Sequence, residues 1–484
     1  MRKHGLAKNF AFQLIYQVMM MFLPLILSPY LTRTLQKDAL GEYSYINSIT
    51  YYFYLAANLG IAKYGQRLIS QSANNSNRLK QSFWSLYILH TITSLISIVA
   101  FTLFTTLFIN DNRLIFYLHI LYLAFALFDI SWLFYGLEYF KSVVIRNAIV
   151  KLVECILIFL TVKEPGDLWK YTIIVNGGYL AGAISLWPSV IREFKGTHIK
   201  REDVIIHCKP LLTFSIATIA VSMYTIFDKT LLGIMMAKEN VAYYEYSYKI
   251  VMIPIVISSV IGTVMFPRAC RFAKEGDTEG QKRYFSYSVL LSTVLSVGSI
   301  FGLTAISDLL AVEYYGESFR ICGKIMICLA PMIYIGSMGD IIRTQYLIPA
   351  GMDREYVRCT IFNAIINIIV SSILIPFLGV YGAVIGTTLA EIFGLIYQAA
   401  KCRKLIDFRG IFAPIIPFSV IGLIMFALIK ALDYFVAADL IGLIIRVFVG
   451  GLSFCLMTAI YLIITENQLY IHIRTKLLRN RDRT

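Results

Sequence analysis

Apolar residues run through this chain in long blocks, each about as long as a membrane helix, separated by short stretches where the charges collect. Crossing a hydrocarbon core takes ~20 apolar residues in a helix. By that measure the pattern predicts about fourteen spans, at 10–31, 41–63, 83–109, 113–136, 142–162, 168–190, 210–235, 241–267, 285–311, 320–348, 355–376, 379–400, 411–433 and 438–464. The fold class that follows is an all-α integral membrane protein. Its outward loops stay within roughly nine residues and its inward loops within roughly twenty, too short to fold a separate domain. Whatever the protein does, it does within the bilayer. The first block follows Arg2, Lys3 and Lys8. It is longer than a signal-peptide core and lacks a small-x-small cleavage pattern, so it is expected to be retained.

Composition agrees with the pattern. Of 484 residues 58% are hydrophobic and 15% charged, and the mean hydropathy is +0.69, outside the range of ordinary soluble domains. The formal net charge is +15, but where the charges sit matters more than their sum. Of the 44 Lys and Arg, roughly 29 fall in the two tails and every second loop, roughly 7 in the other loops and about 8 in or at the edges of spans. This asymmetry puts both ends on the cytoplasmic side of the membrane. It reads the basic segments "REFKGTHIKRED", "RACRFAKEG" and "RTKLLRNRDR" as topology signals and contacts to anionic lipid, with no nucleic-acid partner. The eight cysteines lie in spans or on the reducing inner side and form no CxxC or Cys/His cluster, so no disulfide or metal is expected.

The first and seventh spans enter from the same side, which permits a parallel repeat. A shift of about 201 residues lays the outer turn after the first span over the one at 231–246, each followed by a tyrosine-rich restart. The expected organisation is a six-helix bundle over 1–200, a pseudo-symmetric second over 201–405 around a central cavity, and two further helices with a basic tail over 406–484.

Several charges interrupt the apolar blocks. The stretch "YTIFDKTLLG" carries Asp228 beside Lys229, about 100° apart on a helix and unable to face one another. Glu245 and Lys249 form an i,i+4 pair, and Asp340 and Arg343 an i,i+3 pair. A charge at mid-bilayer costs roughly 2.5–3.5 kcal/mol, so each of these faces water, substrate or a partner. Buried ion pairs between helices are the alternative. Lys63, Lys151, Lys324, Lys430 and Arg446 are read as snorkelling from span ends. Two polar stripes recur at helical spacing, Tyr43, Asn47, Tyr51, Tyr54 and Asn58 in the second span, and Thr360, Asn363, Asn367 and Ser371 in the eleventh. A hydrated cavity is the expectation for both, interhelical hydrogen bonding the alternative. Pro24, Pro29, Pro254 and Pro331, and Gly379, Gly382 and Gly386, are expected at bends. His90 and His119 stand alone and are read as satisfied buried histidines.

The stretch "DISWLFYGLEYFKSVVIRNAIVKLVE", 129–154, resembles the fourth-to-fifth span signature of bacterial polysaccharide (O-antigen-type) flippases in the multidrug/oligosaccharidyl-lipid/polysaccharide exporter superfamily. It carries Trp132, Gly136, Glu138, Lys141 and Arg146. Residues 345–391 are similar to that family's tenth-to-twelfth spans, and "DKTLLG" to its seventh-span Asp-basic motif. The resemblance covers nearly the whole chain. It implies translocation of an undecaprenyl-diphosphate-linked oligosaccharide from the inner to the outer leaflet by alternating access, with polysaccharide polymerase machinery as a further partner and no cofactor.

On that reading Lys229, Lys249 and Arg343 supply cations for a diphosphate, and Asn47, Tyr51, Asn58, Asn363 and Asn367 a wall for sugars. Asp228, Glu245, Asp340 and Glu391 are the carboxylates able to couple to H⁺ or Na⁺. A multidrug or cation antiporter of the same fold is the second reading, disfavoured by the cations that would repel its substrate. A membrane polysaccharide enzyme is the third, and would call for a sizeable outer loop. No Walker motif, GxGxxG, HExxH or nucleophile elbow occurs, and the expected class is not an enzyme.

Overall fold

The computed structural model describes residues 23–194, 199–403 and 411–465. The basic amino and carboxyl tails, on which the inward orientation of both ends rests, lie outside the described residues, as does part of the inner loop before residue 199. Among the described residues every regular element is helical. The chain forms two compact units, residues 1–242 and 243–484.

In unit 1, α1 occupies residues 23–34 and α2 Gln36–Asn58. The second span then bends, because Leu59 and Gly60 both take left-handed backbone angles, φ 40° and 77°, which glycine adopts without a Cβ penalty. The chain leaves the bend as α3, Ile61–Ser72. Next come α4, Ser76–Phe108, and a broken track of α5, Arg113–Leu118, α6, Ile120–Phe128, and α7, Ser131–Gly136. The break before α7 has a local cause. The Asp129 carboxylate accepts from the backbone N–H of Ser131 at 3.0 Å, an Asx-type contact that competes with helix continuation. The unit continues through α8, Phe140–Thr161, α9, Leu168–Ile184, α10, Trp187–Glu193, α11, Arg201–Ile205, and α12, Cys208–Met235.

An aromatic core under α3, α4 and α7 gathers Phe83, Trp132 and Phe194. Gly65 lets the indole of Trp132 lie directly on α3, since a Cβ there would come within 2.7 Å of the ring. α12 packs on α2 and α3, so it belongs to unit 1, whereas counting by repeats begins a second bundle at residue 201.

In unit 2, α13 runs unbroken over Glu239–Glu275 through Pro254 and Pro267. Pro254 therefore does not end the eighth span. After α14, Thr278–Leu310, the tenth span comes as α15, Ile321–Leu329, and α16, Pro331–Ile342, bent by 47° at Pro331 as expected. α17, Asp353–Leu378, and α18, Val380–Lys401, form a hairpin across Gly379. α19, Ile415–Ala431, and α20, Leu440–Ile464, both pack on α14. The two trailing helices are thus part of unit 2.

Among the described residues nine helical stretches are long and apolar enough to cross a membrane, ten with the bent α15–α16 pair. The other four expected spans coincide with α1, α2, α8 and α12. In α8 every window of eighteen residues holds Arg146, Lys151 and Glu154, and α2 is diluted by tyrosine and asparagine. For these four the count of fourteen rests on the sequence. Large apolar side chains stand exposed along the outer faces, Leu107, Leu160, Phe377 and Phe448 among them, as lipid contact requires. The chain is a multi-pass membrane protein.

Candidate functional site

The residues singled out in the sequence do not gather at one place within either unit. In unit 2, Lys249 Nζ lies 3.3 Å from Glu245 and 4.4 Å from the centre of the Tyr246 ring. Arg343 is ion-paired with Asp340, and its guanidinium lies 5.6 Å from the centre of the Tyr356 ring. These two pairs are far apart along α13. A Cβ at Gly262 would come within 2.7 Å of the Asp340 carboxylate, so Asp340 stands opposite a point 13 residues beyond Lys249. At 1.5 Å per residue that is roughly 20 Å of helix rise. Each cation is therefore held by its own carboxylate at its own depth.

The stripe on α17 faces protein. Asn363 and Asn367 are 7% and 0% exposed. Asn367 Nδ2 donates to Thr387 on α18 at 3.3 Å, and Gly394 and Gly386 on α18 abut Asn363 and Ser371. The two asparagines line a helix–helix seam and not a hydrated wall, because α18 presents small residues where they project. Gly382 and Gly386 belong to the same seam and do not bend α18. Glu391 sits half-buried on that helix.

In unit 1, α12 buries Asp228 to 1% exposure and leaves Lys229 half-buried. Between α12 and α2, the Thr230 hydroxyl donates to Ser48 Oγ at 2.9 Å and Tyr52 OH at 3.2 Å. Of the α2 stripe, Asn58 turns back onto the Tyr54 carbonyl, Asn47 is half-buried, and the tyrosines make ring contacts. Tyr51 lies 5.4 Å from Tyr54, and Tyr54 stacks on Tyr122 at 5.0 Å. Tyr43 packs on His119, whose Nδ1 pairs with the Ile115 carbonyl. Neither ring nitrogen of His90 has a hydrogen-bond partner, and His119 Nε2 has none, so His119 is half satisfied and His90 is not the satisfied histidine expected.

The ladder of rings leads to a constellation that the sequence reading did not assemble. Tyr122 and Phe125 contact Tyr179 at 5.7 and 5.4 Å. Lys151 Nζ lies 4.3 Å from the centre of the Tyr179 ring and 2.6 Å from Glu154 Oε2. Nearby, Arg146 Nη1 donates to the Gly182 carbonyl at 3.2 Å and Nη2 to Ser131 Oγ at 3.3 Å. The Ser131 hydroxyl donates to Asp129 at 2.5 Å. Asp129, Arg146, Lys151 and Tyr179 line a cleft of about 240 Å³.

Lys151 is the twelfth of the 22 residues of α8, so it stands mid-helix. Its side chain is 16% exposed and that of Glu154 5%. The snorkelling assignment does not hold for Lys151, nor for Arg446. Arg446, 2% exposed, donates to Asp433 and to the Val436 and Ala437 carbonyls at 2.8–3.0 Å. The i,i+3 spacing that drew attention to Asp340 and Arg343 would have found Lys151 and Glu154 as well. Of the motif residues only Arg146 enters the cleft. Trp132 and Gly136 pack against α3, Lys141 is exposed, and Glu138 holds a turn with φ 63°.

Two curated proteins, each described as a "Putative O-antigen transporter", are similar to this chain. The one from Shigella dysenteriae is 24% identical over 387 residues, 78% of this chain and 94% of its own length. The one from Escherichia coli (strain K12) is 19% identical over 371 residues, 76% and 89%. Among solved structures, the lipid II flippase MurJ in an inward closed conformation superposes with a TM-score of 0.78 at 15% identity, covering 94% of this chain and 99% of that one. An inward-facing multidrug resistance MATE family transporter superposes with a TM-score of 0.57 at 15% identity, covering 81% and 95%. These structures establish the fold. The family described as polysaccharide biosynthesis protein matches residues 6–273, more than half of the chain, and the protein belongs to that family.

Proposed function

We propose that the protein is a flippase. It carries a polyprenyl-diphosphate-linked oligosaccharide from the inner to the outer leaflet of a bacterial cytoplasmic membrane by alternating access, with both termini cytoplasmic. The observation that carries this reading is the similarity to O-antigen transporters over 94% of the length of one of them. The relatives are named for transport, and the proposed activity forms and breaks no covalent bond. The repeat-based division at residues 200 and 405 belongs to the same proposal.

The substrate has three chemically different parts. Lys229, Lys249 and Arg343 are proposed to meet the diphosphate at successive stages of its passage, since Lys249 and Arg343 stand roughly 20 Å apart along α13. For Lys249 and Arg343 this means exchanging the carboxylates that now hold them. Asp228, Glu245, Asp340 and Glu391 are the groups proposed for ion coupling. For the lipid tail, unit 2 offers a cleft of about 560 Å³ lined by Pro254, Leu295, Gly302, Met425, Gly451 and Phe454 among others. Its walls come from α13, α14, α19 and α20. The one charged lining residue, Arg446, is already committed to Asp433 and two carbonyls. An apolar trough suits a polyprenyl chain, which gains there by packing contacts, since the bilayer it leaves is already apolar.

Gly451 lines this cleft, and a Cβ there meets nothing within 4 Å. Gly451→Leu is therefore expected to leave membrane yield unchanged, since leucine also favours a helix over glycine. A leucine there takes the place of part of the tail and forfeits its packing against the cleft walls, so the tail is held less tightly. Surface polysaccharide, measured at matched protein level, should fall accordingly. Undiminished export would remove the trough from the account.

A further inference from the structure

The cleft in unit 1 between α6, α8 and α9 differs in kind from the cationic and apolar features invoked above. Its charges balance. Arg146 and Lys151 are matched by Asp129 and by Glu154, the ion-pair partner of Lys151. It therefore offers no net attraction to a diphosphate or to a cationic drug. Its polar groups are held in place. Arg146 is fixed by Asn147, Ser131 and the Gly182 carbonyl, and Lys151 by Glu154 and Tyr179. Donors and acceptors thus alternate around the cleft, which suits a ligand whose hydroxyl groups both donate and accept.

One wall is aromatic. Tyr179 and Phe125 line the cleft, backed by Tyr122 and Tyr54. Room for the ligand is left at Gly182 on α9, where no side chain projects toward Val150 and Arg146. The volume, about 240 Å³, falls below the ~300–1,000 Å³ of pockets for drug-sized ligands. That is room for one ring.

We infer that this cleft is a subsite for a single uncharged sugar ring of the transported saccharide, with Phe125 and Tyr179 as its aromatic wall and Asp129, Arg146 and Lys151 as its hydroxyl contacts. The inference rests on the flippase reading and adds a second point of recognition to it. Specificity for the saccharide would then reside in unit 1, on α8 and α9, apart from the cations that meet the diphosphate.

The test uses the full-length protein in lipid nanodiscs and saturation-transfer NMR with methyl glycosides of glucose, galactose, mannose, N-acetylglucosamine and N-acetylgalactosamine, one at a time. At least one glycoside should receive saturation from the wild-type protein. Tyr179→Leu should weaken that binding by roughly tenfold, the upper range for loss of an aromatic contact. The double variant Lys151→Met/Glu154→Leu removes both charges together and should also lose binding while its thermal unfolding stays near wild type, an outcome that a purely structural ion pair would not give. Inorganic pyrophosphate should not displace the sugar. The subsite is overturned if no glycoside binds, if binding survives in both variants, or if pyrophosphate competes. Translocation of a lipid-linked oligosaccharide by the same preparation separates the two levels. Translocation without glycoside binding refutes the subsite alone, and absence of translocation refutes the flippase reading and the inference with it.

Discussion

Replacing Lys151 by methionine is expected to destabilise the protein by about 3–5 kcal/mol, the cost of leaving one partner of a buried ion pair uncompensated. The partner left behind is Glu154, 4% exposed, with one carboxylate oxygen on Lys151 at 2.6 Å and the other without a hydrogen-bond partner. Gly178 closes over the Oε1 side of the carboxyl group, with the Glu154 Cδ 2.9 Å from where a Cβ would stand, so the charge gains no solvation from that side. Removing both charges gives a different result. Lys151→Met/Glu154→Leu should return to within about 1 kcal/mol of wild type, since apolar replacement of a whole buried pair is often neutral or stabilising. Thermal unfolding of the three purified proteins in one detergent checks this. A single variant losing no more than the ~0.5 kcal/mol of an ordinary surface change would mean that the pair is not buried as described.

The second large effect lies in the α17–α18 hairpin. A Cβ on Gly382 would come within 2.5 Å of the Leu374 backbone carbon and 2.6 Å of the Ile375 nitrogen. Backbone atoms cannot swing aside as a flexible side chain can, so Gly382→Leu has to push two helices apart along a seam that Gly386 and Gly394 also keep close. The expected cost exceeds ~4 kcal/mol, in the tail reserved for overpacking of a core. The protein should fail to accumulate in the membrane. Gly177→Leu on α9 is the control, because nothing lies within 4 Å of a Cβ there and its level should match wild type. Membrane-fraction immunoblots of the two variants read the difference, and equal levels would contradict the seam.

How much of this the sequence discloses depends on the residue. Block lengths give the membrane fold, because desolvating the backbone in lipid leaves few options besides a helix. Pro331 marks a bend because proline lacks the N–H for the helical hydrogen bond and its ring clashes with the preceding turn. Periodicity goes further and identifies the polar face of α17, but it cannot name what stands opposite that face. The answer, small residues of α18, depends on tertiary packing, and so Asn363 and Asn367 were expected at water and lie at protein.

Lys151 was misjudged from the other direction. The expected span 142–162 already puts it at the centre, as α8, Phe140–Thr161, does, so a snorkelling side chain was not the reading its own span supported. Tyr179 gave no signal of its own among 32 tyrosines. It becomes meaningful only where α9 brings it over the Lys151 ammonium. The carboxylate–cation pairs Glu245 with Lys249 and Asp340 with Arg343 were legible from spacing alone, because i,i+3 and i,i+4 neighbours share a face on any helix.

The central claim is movement of a lipid-linked saccharide between leaflets, and reconstitution measures it. An undecaprenyl-diphosphate-linked oligosaccharide is placed in proteoliposomes, H⁺ or Na⁺ gradients are supplied, and a membrane-impermeant glycosidase reports the fraction of sugar that becomes accessible over time. The account predicts that accessibility rises with the amount of wild-type protein and rises more slowly with Gly451→Leu. Accessibility that never exceeds that of protein-free liposomes would contradict it.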